Sequence, residues 1–203
     1  MKTFAGIAFS SAVQALQSTH GSRAAYARLP DERPTGEGLS AVETDFLQRA
    51  DSFYMASVGE TGWPYVQHRG GPHGFVKVIS PARIAFADFR GNRQYVSAGN
   101  VTNNDRVALI FMDYANRKRL KLLGHLRYQD VGNAESDLVA AVELPAYRAR
   151  LEHVAVIEIE AYDWNCPQHI TQRFTLDEIE SSTNPLHERI AQLEAEIASL
   201  IAN

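Results

Sequence analysis

Cysteine is almost missing from this sequence, and its scarcity limits what can hold the chain together. Among 203 residues only Cys166 carries a thiol, so no disulfide can form within the chain. A single cysteine is typical of proteins in the reducing cytoplasm. Because no second cysteine and no lysine or histidine pattern accompanies it, we interpret Cys166 as a small buried thiol and not as a nucleophile.

Long hydrophobic runs and an excess of positive charge are missing too. No run approaches the ~20 apolar residues that a membrane-spanning helix requires. The start, MKTFAGIAFSSAVQALQ, is interrupted by Ser10, Ser11 and Gln14, which predicts a helix lying on the domain in place of a signal peptide. With 20 Lys and Arg against 24 Asp and Glu, no overall field attracts nucleic acid or an anionic membrane. We expect a soluble, cytoplasmic protein with neither partner.

The common catalytic and metal-binding motifs are absent as well. Seven histidines are present, but no HExxH, no GxSxG and no Cys/His cluster, which are the usual signatures of zinc and serine hydrolase sites. No glycine-rich dinucleotide motif follows a predicted strand. We therefore expect no metal site, and the sequence identifies no catalytic residue.

The chain divides into three predicted segments: an N-terminal helix and linker at 1–38, a central domain at 39–181 and a C-terminal helix at 182–203. Residues 11–28 have a helical pattern, and the Pro- and Gly-rich stretch 29–38 predicts a linker. Ser40 and Glu43 form a capping box. The box predicts a helix that continues to about Ala50.

Strand patterns dominate the central domain. Seven short runs rich in β-branched and aromatic residues are predicted as strands: SFYMASV, PYVQHR, GFVKVI, RIAFADF, RVALIFMD, RLKLLGHLRY and HVAVIEIEAY. The longer segments 92–105 and 133–151 between strands predict helical insertions. Mostly sequential strands with inserted helices favour a closed or split antiparallel barrel over a parallel βαβ sheet.

An amphipathic pattern marks the C-terminal segment. Asn184 and Pro185 predict the N-cap and first residue of a helix. Apolar residues then recur every three or four positions, at Leu186, Ile190, Leu193, Ile197 and Leu200. A stripe of about two heptads is marginal alone in water. We expect this helix to pack either on its own barrel or on a partner chain.

Arginine stands beside glycine where two predicted strands end, in GWPYVQHRGG (62–71) and FRGNRQ (89–94). Surface arginines that flank turns are one interpretation. The other is an anionic ligand, because glycine lets a ligand approach the backbone and residues 92–94 begin a predicted helix whose free N–H groups favour a phosphate. Arg93 would add a bidentate contact. The residues alone leave both interpretations open.

The chain resembles the pyridoxamine 5'-phosphate oxidase-like family of FMN-binding split barrels, most closely its flavin-nucleotide-binding branch. The resemblance is carried by SFYMASVGETGWPYVQHRGG, IAFADFRGNRQYVSAGNVTNNDRVALIFMD and RLKLLGHLRY, and it resumes at WNCPQHITQRF, 164–174. It implies a mainly β fold with helices, a split antiparallel barrel carrying N-terminal helices and a C-terminal helix. It also implies an FMN-dependent oxidoreductase of unassigned small-molecule substrate, acting as a homodimer with shared flavin sites.

The resemblance implies a set of cofactor-binding positions. The family's phosphate grip falls on Asn92, Arg93 and Gln94, and Arg119 replaces a glutamine near the flavin. Trp164 and Arg173 match residues that the family supplies from the second subunit. The full set is Gln67, His68, Arg69, Gly70, Gly71, Lys77, Asp88, Asn92, Arg93, Gln94, Arg119, Trp164 and Arg173.

The departures from the family lie on the substrate side. The true oxidase has an Arg-x-His pair before its last arginine, whereas this chain has HITQR at 169–173. Ile170 and Thr171 cannot hold a phosphate by charge. Four alternatives therefore stay open beside an oxidoreductase of other specificity: pyridoxamine 5'-phosphate oxidase proper, a split barrel that binds F420, one that binds haem, and an FMN-binding protein without turnover.

Overall fold

The computed structural model describes residues 1–32, 38–145, 147–164 and 167–202. The chain forms two compact units. One comprises Met1–Asp113 with Lys118–Cys166, and the other comprises Tyr114–Arg117 with Pro167–Asn203. The expectation that Cys166 is a buried thiol falls outside the described residues.

Within the described residues four helices precede the sheet: α1 Phe4–Ala8, α2 Ser11–Thr19, α3 Arg23–Glu32 and α4 Ala41–Arg49. The single helix expected over 11–28 is thus wrong, because Gly21 adopts the left-handed conformation (φ 75°) and separates α2 from α3. Helix α3 also extends into the predicted linker at 29–38. The backbone N–H of Lys2 donates to the Glu160 carbonyl at 3.0 Å, which holds the chain start on the barrel.

The predicted capping box at the start of α4 is confirmed. The Ser40 hydroxyl accepts from the Val42 N–H at 3.1 Å, and Glu43 accepts from the Ser40 N–H at 2.9 Å. These bonds satisfy N–H groups that a helix start otherwise leaves unpaired. Ala50 caps the other end, as expected. Phe46 and Leu47 bury the inner face of the helix in the core.

All seven predicted strands form, and they make one antiparallel sheet in the order β2-β1-β5-β6-β7-β4-β3. In the described residues the two edge strands, β2 and β3, are not hydrogen-bonded to each other, so the fold is a split antiparallel barrel. The bounds are β1 Ser52–Val58, β2 Pro64–Gly70, β3 Val76–Ser80, β4 Arg83–Phe89, β5 Arg106–Asp113, β6 Lys118–Asp130 and β7 Leu151–Trp164.

In the part of the chain that the structure describes, two helices are inserted between strands. Helix α5, Val96–Asn103, lies where the 92–105 segment predicts one, and α6, Ser136–Val142, occupies only the first part of 133–151. Glu143 caps the helix, and β7 begins at Leu151. Helix α6 covers a small apolar cluster formed with Ala85 and Val154.

The long strands β6 and β7 form the spine of the barrel. Their pairing runs from Leu120 opposite Trp164 to Asp130 opposite His153. At ~3.3 Å per residue these ten steps separate the two ends by roughly 30 Å. The register shifts at Gly124, where a Cβ atom would collide with the Glu158 carbonyl. The spine therefore presents two distant ends to solvent.

The main core contains four phenylalanine rings, three of them on strands β1, β4 and β5 and the fourth, Phe75, directly before β3. The Phe53 ring centroid lies 4.7 Å from that of Phe111, 5.3 Å from that of Phe86 and 5.8 Å from that of Phe75. All four side chains are almost completely buried. Burial of one such ring contributes about 2–3 kcal/mol, so this cluster is a large part of what holds the barrel.

The second unit contains the long helix α7, Leu176–Ile201. The predicted start at Asn184 and Pro185 is wrong. The helix begins at Leu176, and Thr175 is its N-cap. The Thr175 hydroxyl accepts from the Glu178 N–H, and the Glu178 carboxylate accepts from the Thr175 N–H. This second capping box starts the helix earlier, and Pro185 lies inside it. Among the described helices, none is long and apolar enough to span a membrane.

Candidate cofactor-binding site

A cavity of about 280 Å³ lies where β2, β4 and the start of α5 meet. Side chains of β2 form one wall, and the loop from β4 into α5 forms the other. Tyr128 of β6 and Glu152 of β7 complete the lining. The lining residues are Tyr65, Gln67, Arg69, Asp88, Phe89, 91–98, Tyr128 and Glu152.

The inner part of the cavity is an ion pair that also engages a tyrosine. Arg69 donates from Nη1 to Asp88 Oδ1 at 2.5 Å and from Nη2 to the Tyr128 hydroxyl at 2.8 Å. The Arg69 and Asp88 side chains are only 17% and 14% exposed. The Arg69 Nε–H is buried and has no hydrogen-bond partner among the residues that the structure describes. The Arg69 guanidinium is therefore held in place by Asp88 and Tyr128 through its two Nη groups.

Tyr128 is neutral across the whole physiological range. Its burial raises the pKa of the phenol to about 12, a shift opposed by the charge of Arg69 and reinforced by that of Asp88. Because the Tyr128 oxygen accepts from Arg69, its own hydrogen can be donated to a ligand in the cavity. This hydroxyl is therefore a hydrogen-bond donor in the cavity lining.

Behind Asp88 lies a histidine that links β4 to the end of β6. His153 Nδ1 is 3.4 Å from Asp88 Oδ2, and His153 Nε2 is 3.3 Å from Asp130 Oδ1. The Tyr128 ring stands edge-on to the imidazole, with centroids 6.0 Å apart. These contacts fix the orientation of the Asp88 carboxylate that holds Arg69.

The outer rim is a strained loop that presents Arg93. Both Arg93 (φ 59°) and Tyr95 (φ 53°) adopt the left-handed conformation, which is rare for residues other than glycine. Arg93 Nε donates to the Tyr95 hydroxyl at 2.9 Å, and that hydroxyl donates to Glu152 Oε1 at 2.9 Å. The hydrogen bond to Tyr95 and the nearby charge of Glu152 raise the pKa of Arg93. An exposed cation is therefore held over the cavity.

The start of α5 faces the same cavity. Tyr95 is its N-cap residue, and no described side chain caps the first turn. The N–H groups of residues 96–98 consequently lie at the positive end of the helix dipole without a side-chain acceptor. Buried Ser97 donates from Oγ to Gln67 Oε1 at 2.8 Å, which fixes α5 against β2. Uncapped N–H groups and Arg93 thus converge from one side.

Most of the central domain matches a known protein family. The profile described as pyridoxamine 5'-phosphate oxidase matches residues 40–165. The chain belongs to this family. No curated protein matches the sequence.

Several solved structures are similar to this member of the pyridoxamine 5'-phosphate oxidase family. HupZ of Group A Streptococcus is 13% identical, with 67% of this chain and 99% of that chain covered and a TM-score of 0.51, which shows a shared fold. An FMN-binding protein from Syntrophomonas wolfei subsp. wolfei is 11% identical, covering 73% and 97%, with a TM-score of 0.44. A protein related to general stress protein 26 from Clostridium acetobutylicum is 13% identical, covering 68% and 94%, with a TM-score of 0.45.

Six of the residues expected from the resemblance meet in the cavity: Gln67, Arg69, Asp88, Asn92, Arg93 and Gln94. They come from β2, from the end of β4 and from the loop that follows. Asn92 accepts the Gln94 N–H through its side-chain oxygen at 3.2 Å, so it shapes the loop. The two arginine segments of the sequence therefore line one site.

His68 is not part of this site. Successive residues of a strand point to opposite faces, so Gln67 and Arg69 face the cavity while His68 faces away from it. Its imidazole packs edge-on against Tyr54 of β1, with ring centroids 5.4 Å apart. The alternation of side chains along β2 thus separates His68 from Gln67 and Arg69, and the expectation that His68 contacts a cofactor stays a prediction.

Gly70, Gly71 and Lys77 also lie outside the cavity lining. Gly71 has a packing role, because a Cβ atom there would come within 2.7 Å of the buried Phe75 ring. Lys77 sits on the edge strand β3, opposite Ala85 of β4. The structure does not bring these three positions to the cavity of their own chain.

Arg119 and Trp164 lie at the other end of the spine. Leu120, which follows Arg119, pairs with Trp164, roughly 30 Å along β6 and β7 from the cavity. The Trp164 indole donates to Glu43 Oε1 at 2.6 Å. Burial opposes ionisation of Glu43, but hydrogen bonds from Ser40 and Trp164 lower the pKa of this carboxyl below its ordinary value.

Arg173 belongs to the second unit. Its guanidinium lies 5.1 Å from the ring centroid of Tyr114, in a cation–π arrangement within that unit. The expectation that Arg173 reaches a flavin in the partner subunit stays a prediction.

The sequence reasoning missed the residues that support the two arginines. Tyr128, Glu152 and His153 are far from Arg69 and Arg93 along the chain, and no local motif marks them. The registers of β7 with β6 and with β4, which set Tyr128 opposite Ala155 and Asp88 opposite His153, bring them to the cavity or directly behind it. Tyr95 could have been found, since it directly follows the predicted phosphate grip.

Proposed function

We propose that this protein is an FMN-binding flavoprotein and an FMN-dependent oxidoreductase acting on a small molecule. Family membership supports the cofactor class. The observation that carries the proposal is the convergence of three donor groups on one cavity: the guanidinium of Arg93, the uncapped first turn of α5 and the side chain of Arg69. Such donors recognise a phosphate group.

The residues present fit a flavin nucleotide. An anion must be recognised locally, because the chain as a whole carries a net charge of −4. Arg93 is exposed at the rim, and among the described residues no carboxylate forms an ion pair with it, so it can meet a phosphate there. The positive end of α5 favours the same charge. We assign the phosphate to this rim and Arg69 to the interior of the cavity.

The interior suits the polar edge of an aromatic ring system. Bound FMN supplies hydride and electron transfer, and the protein supplies binding, orientation and electrostatics. Arg69 brings a positive charge fixed by Asp88, and Tyr128 brings a neutral hydroxyl whose hydrogen is available for donation. Tyr65 and Phe89 add apolar surface that excludes water. These groups would orient the ring and stabilise negative charge on it.

We further propose a homodimer with two shared flavin sites. The cavity of one chain, about 280 Å³, lies just below the ~300–1,000 Å³ typical of ligand pockets. Two of the other predicted residues, Arg119 and Trp164, lie at the far end of the spine. A two-fold axis can set that end of one chain against the cavity of the other. In this arrangement Trp164 and Arg173 complete the partner's site.

The cofactor is tested on the purified protein. We expect the visible absorption bands of a flavin, and heat treatment should release FMN, identified chromatographically against FAD and riboflavin. A Soret band would identify haem as the cofactor, and a deazaflavin spectrum would identify F420. Colourless protein that also fails to bind added FMN would overturn the proposal.

Turnover is a separate measurement. The flavoprotein is reduced anaerobically, and re-oxidation by oxygen or by added electron acceptors is compared with that of free FMN at the same concentration. Re-oxidation faster than free FMN supports an oxidoreductase. Bound FMN that exchanges electrons no faster than free FMN would make the protein a plain FMN binder. Production of pyridoxal 5'-phosphate would identify the protein as pyridoxamine 5'-phosphate oxidase proper. The HITQR segment at 169–173 argues against that outcome.

A further inference from the structure

Helix α7 carries a long apolar stripe that its own unit does not cover. Among the described residues of α7, none is buried. The apolar side chains on one face are 40–76% exposed: Leu176, Ile179, Leu186, Ile190, Leu193, Ile197 and Leu200. A helix of 26 residues gains most of its stability from packing of such a face. The stripe therefore requires a partner surface.

The stripe is a heptad repeat that begins before Pro185. With Leu176 assigned to position a, the a positions hold Leu176, Thr183, Ile190 and Ile197, and the d positions hold Ile179, Leu186, Leu193 and Leu200. The repeat thus covers nearly four heptads, about twice the length visible when the helix is started at Asn184. A sustained a/d pattern is typical of a coiled coil.

Pro185 is compatible with this pattern because it occupies position c, on the outward face. Proline removes one helical hydrogen bond, the one to the carbonyl of Ser181. Ser181 occupies position f, which is also outward, so water can satisfy that carbonyl. In the same turn the Ser182 and Thr183 hydroxyls donate to the Ile179 carbonyl at 2.8 and 3.0 Å. The inward seam is therefore uninterrupted.

We propose that α7 forms a parallel two-stranded coiled coil with α7 of a second copy of this chain. β-branched residues at a, with leucine at d, favour two parallel strands. Thr183, Ile190 and Ile197 supply the first feature, and Leu186, Leu193 and Leu200 supply the second. The occupant of the apolar stripe is thus the same stripe of the partner.

Charges beside the seam favour the parallel orientation. In a parallel pair, position g of one helix meets position e of the next heptad in the other. Arg189 at g then faces the partner's Glu194 at e. Arg189 now donates to Gln192 Oε1 at 3.2 Å on the outer face, a weak contact it can exchange. The other g–e pairs, Ser182 with the partner's His187 and Glu196 with the partner's Ile201, bring no like charges together.

The antiparallel alternative places like charges together. Antiparallel helices bring e beside e and g beside g. When all four heptads overlap, Glu180 lies beside the partner's Glu194, and Arg189 lies beside the partner's Arg189. Like-charge pairs at these positions oppose association. The sequence of α7 thus selects the parallel pairing by repulsion as well as attraction.

Disulfide trapping in the full chain tests the pairing and its direction. In a Cys166→Ser background, Ile179→Cys and Ile197→Cys each place one thiol in the seam, near opposite ends of α7. Under mild oxidation a parallel pair gives rapid covalent dimers with each variant alone. Glu188→Cys, at outward position f, is the matched control and should crosslink at least about tenfold more slowly, as expected for thiols held apart.

Other results overturn the proposal. Crosslinking only in a mixture of the Ile179→Cys and Ile197→Cys proteins would show an antiparallel pair. Seam variants that crosslink no faster than Glu188→Cys would show that the helices do not pair, even if the barrels dimerise.

Charge exchange gives an independent check: Arg189→Glu or Glu194→Arg alone should slow trapping, and the double exchange should restore it. If the double exchange does not restore trapping, Arg189 does not pair with the partner's Glu194. Far-UV circular dichroism verifies that each variant keeps its helix.

Discussion

Arg69 of β2 and Asp88 of β4 form a buried ion pair, with Nη1 and Oδ1 2.5 Å apart, although four strands stand between β2 and β4 in the sheet. The sheet therefore curls until its two sides meet through side chains. No backbone hydrogen bond closes the barrel at this point in the described residues. One ion pair thus joins the two walls of the cavity and positions the guanidinium inside it.

We expect Asp88→Ala to lower the free energy of unfolding by about 3 kcal/mol, because removing one partner leaves a buried charge unpaired. Asp88→Asn should cost less, since an amide oxygen still accepts from Arg69. Glu158→Ala is the control: its bond to Arg83 is 36–46% exposed, and such pairs contribute about 1 kcal/mol or less. Denaturant unfolding measures all three. Equal losses at Asp88 and Glu158 would contradict the special role of the buried pair.

Arg93→Ala should weaken FMN binding by about tenfold or more, because a charge-assisted hydrogen bond to the phosphate is lost. Riboflavin has no phosphate and should bind the variant and the parent equally. Arg106→Ala, which removes another exposed arginine outside the cavity, should leave FMN affinity unchanged. Calorimetric titration with both ligands decides the matter. An equal loss of riboflavin affinity would place Arg93 beside another part of the cofactor.

Tyr128 should ionise only near pH 12. Since the pKa in the folded protein exceeds the ordinary value of 10.0, the protonated phenol stabilises the fold. That contribution is complete below about pH 10 and is lost as the pH rises through 12. The difference between the ultraviolet titrations of the parent and Tyr128→Phe isolates this one phenol. A difference titration centred near 10 would show that Tyr128 is solvated.

Glu43 should make stability sensitive to acid. Its pKa is lowered in the folded state, so its contribution is present above the ordinary value of about 4.5 and is lost as the pH falls through the lowered pKa. Glu43→Gln should flatten the decline of the unfolding temperature below pH 4.5 and lower that temperature at pH 7. Thermal unfolding followed across this range checks both effects. The same acid slope in Glu43→Gln would assign the sensitivity to other carboxylates.

Local patterns predicted much of the fold and half of the site. Alternation of apolar residues located all seven strands, and Ser40 with Glu43 fixed the start of α4. Both signals act over a few residues and need no knowledge of the tertiary structure. The start of α7 was misplaced because Asn184–Pro185 and Thr175–Glu178 are both valid start signals, and only packing and helix continuity choose between them.

The cavity shows where sequence reasoning stops. Arg93 was found because the residues around it form a recognisable turn into a helix. Tyr128 and Glu152 were missed because their place depends on the register of β6 and β7, which a single sequence does not reveal. His68 lies outside the cavity lining of its own chain because side chains alternate along β2, and its expected role at a cofactor stays a prediction.

The last prediction concerns shared flavin sites. Arg93 lies in the cavity of its own chain, whereas Arg173 is proposed to serve the partner's site, so a two-fold dimer of either single variant is damaged at both sites. When Arg93→Ala and Arg173→Ala proteins exchange subunits, each heterodimer should contain one intact site and one doubly damaged site. FMN binding should then rise toward half the parental capacity per heterodimer.

Affinity tags of two kinds isolate the heterodimers and prove the exchange, and flavin fluorescence counts the bound FMN. A mixture of Arg93→Ala with Arg69→Ala, two variants that each damage the cavity of their own chain, is the control and should recover nothing. Isolated heterodimers that bind no more FMN than either parent variant would show that Arg173 does not serve the partner's site.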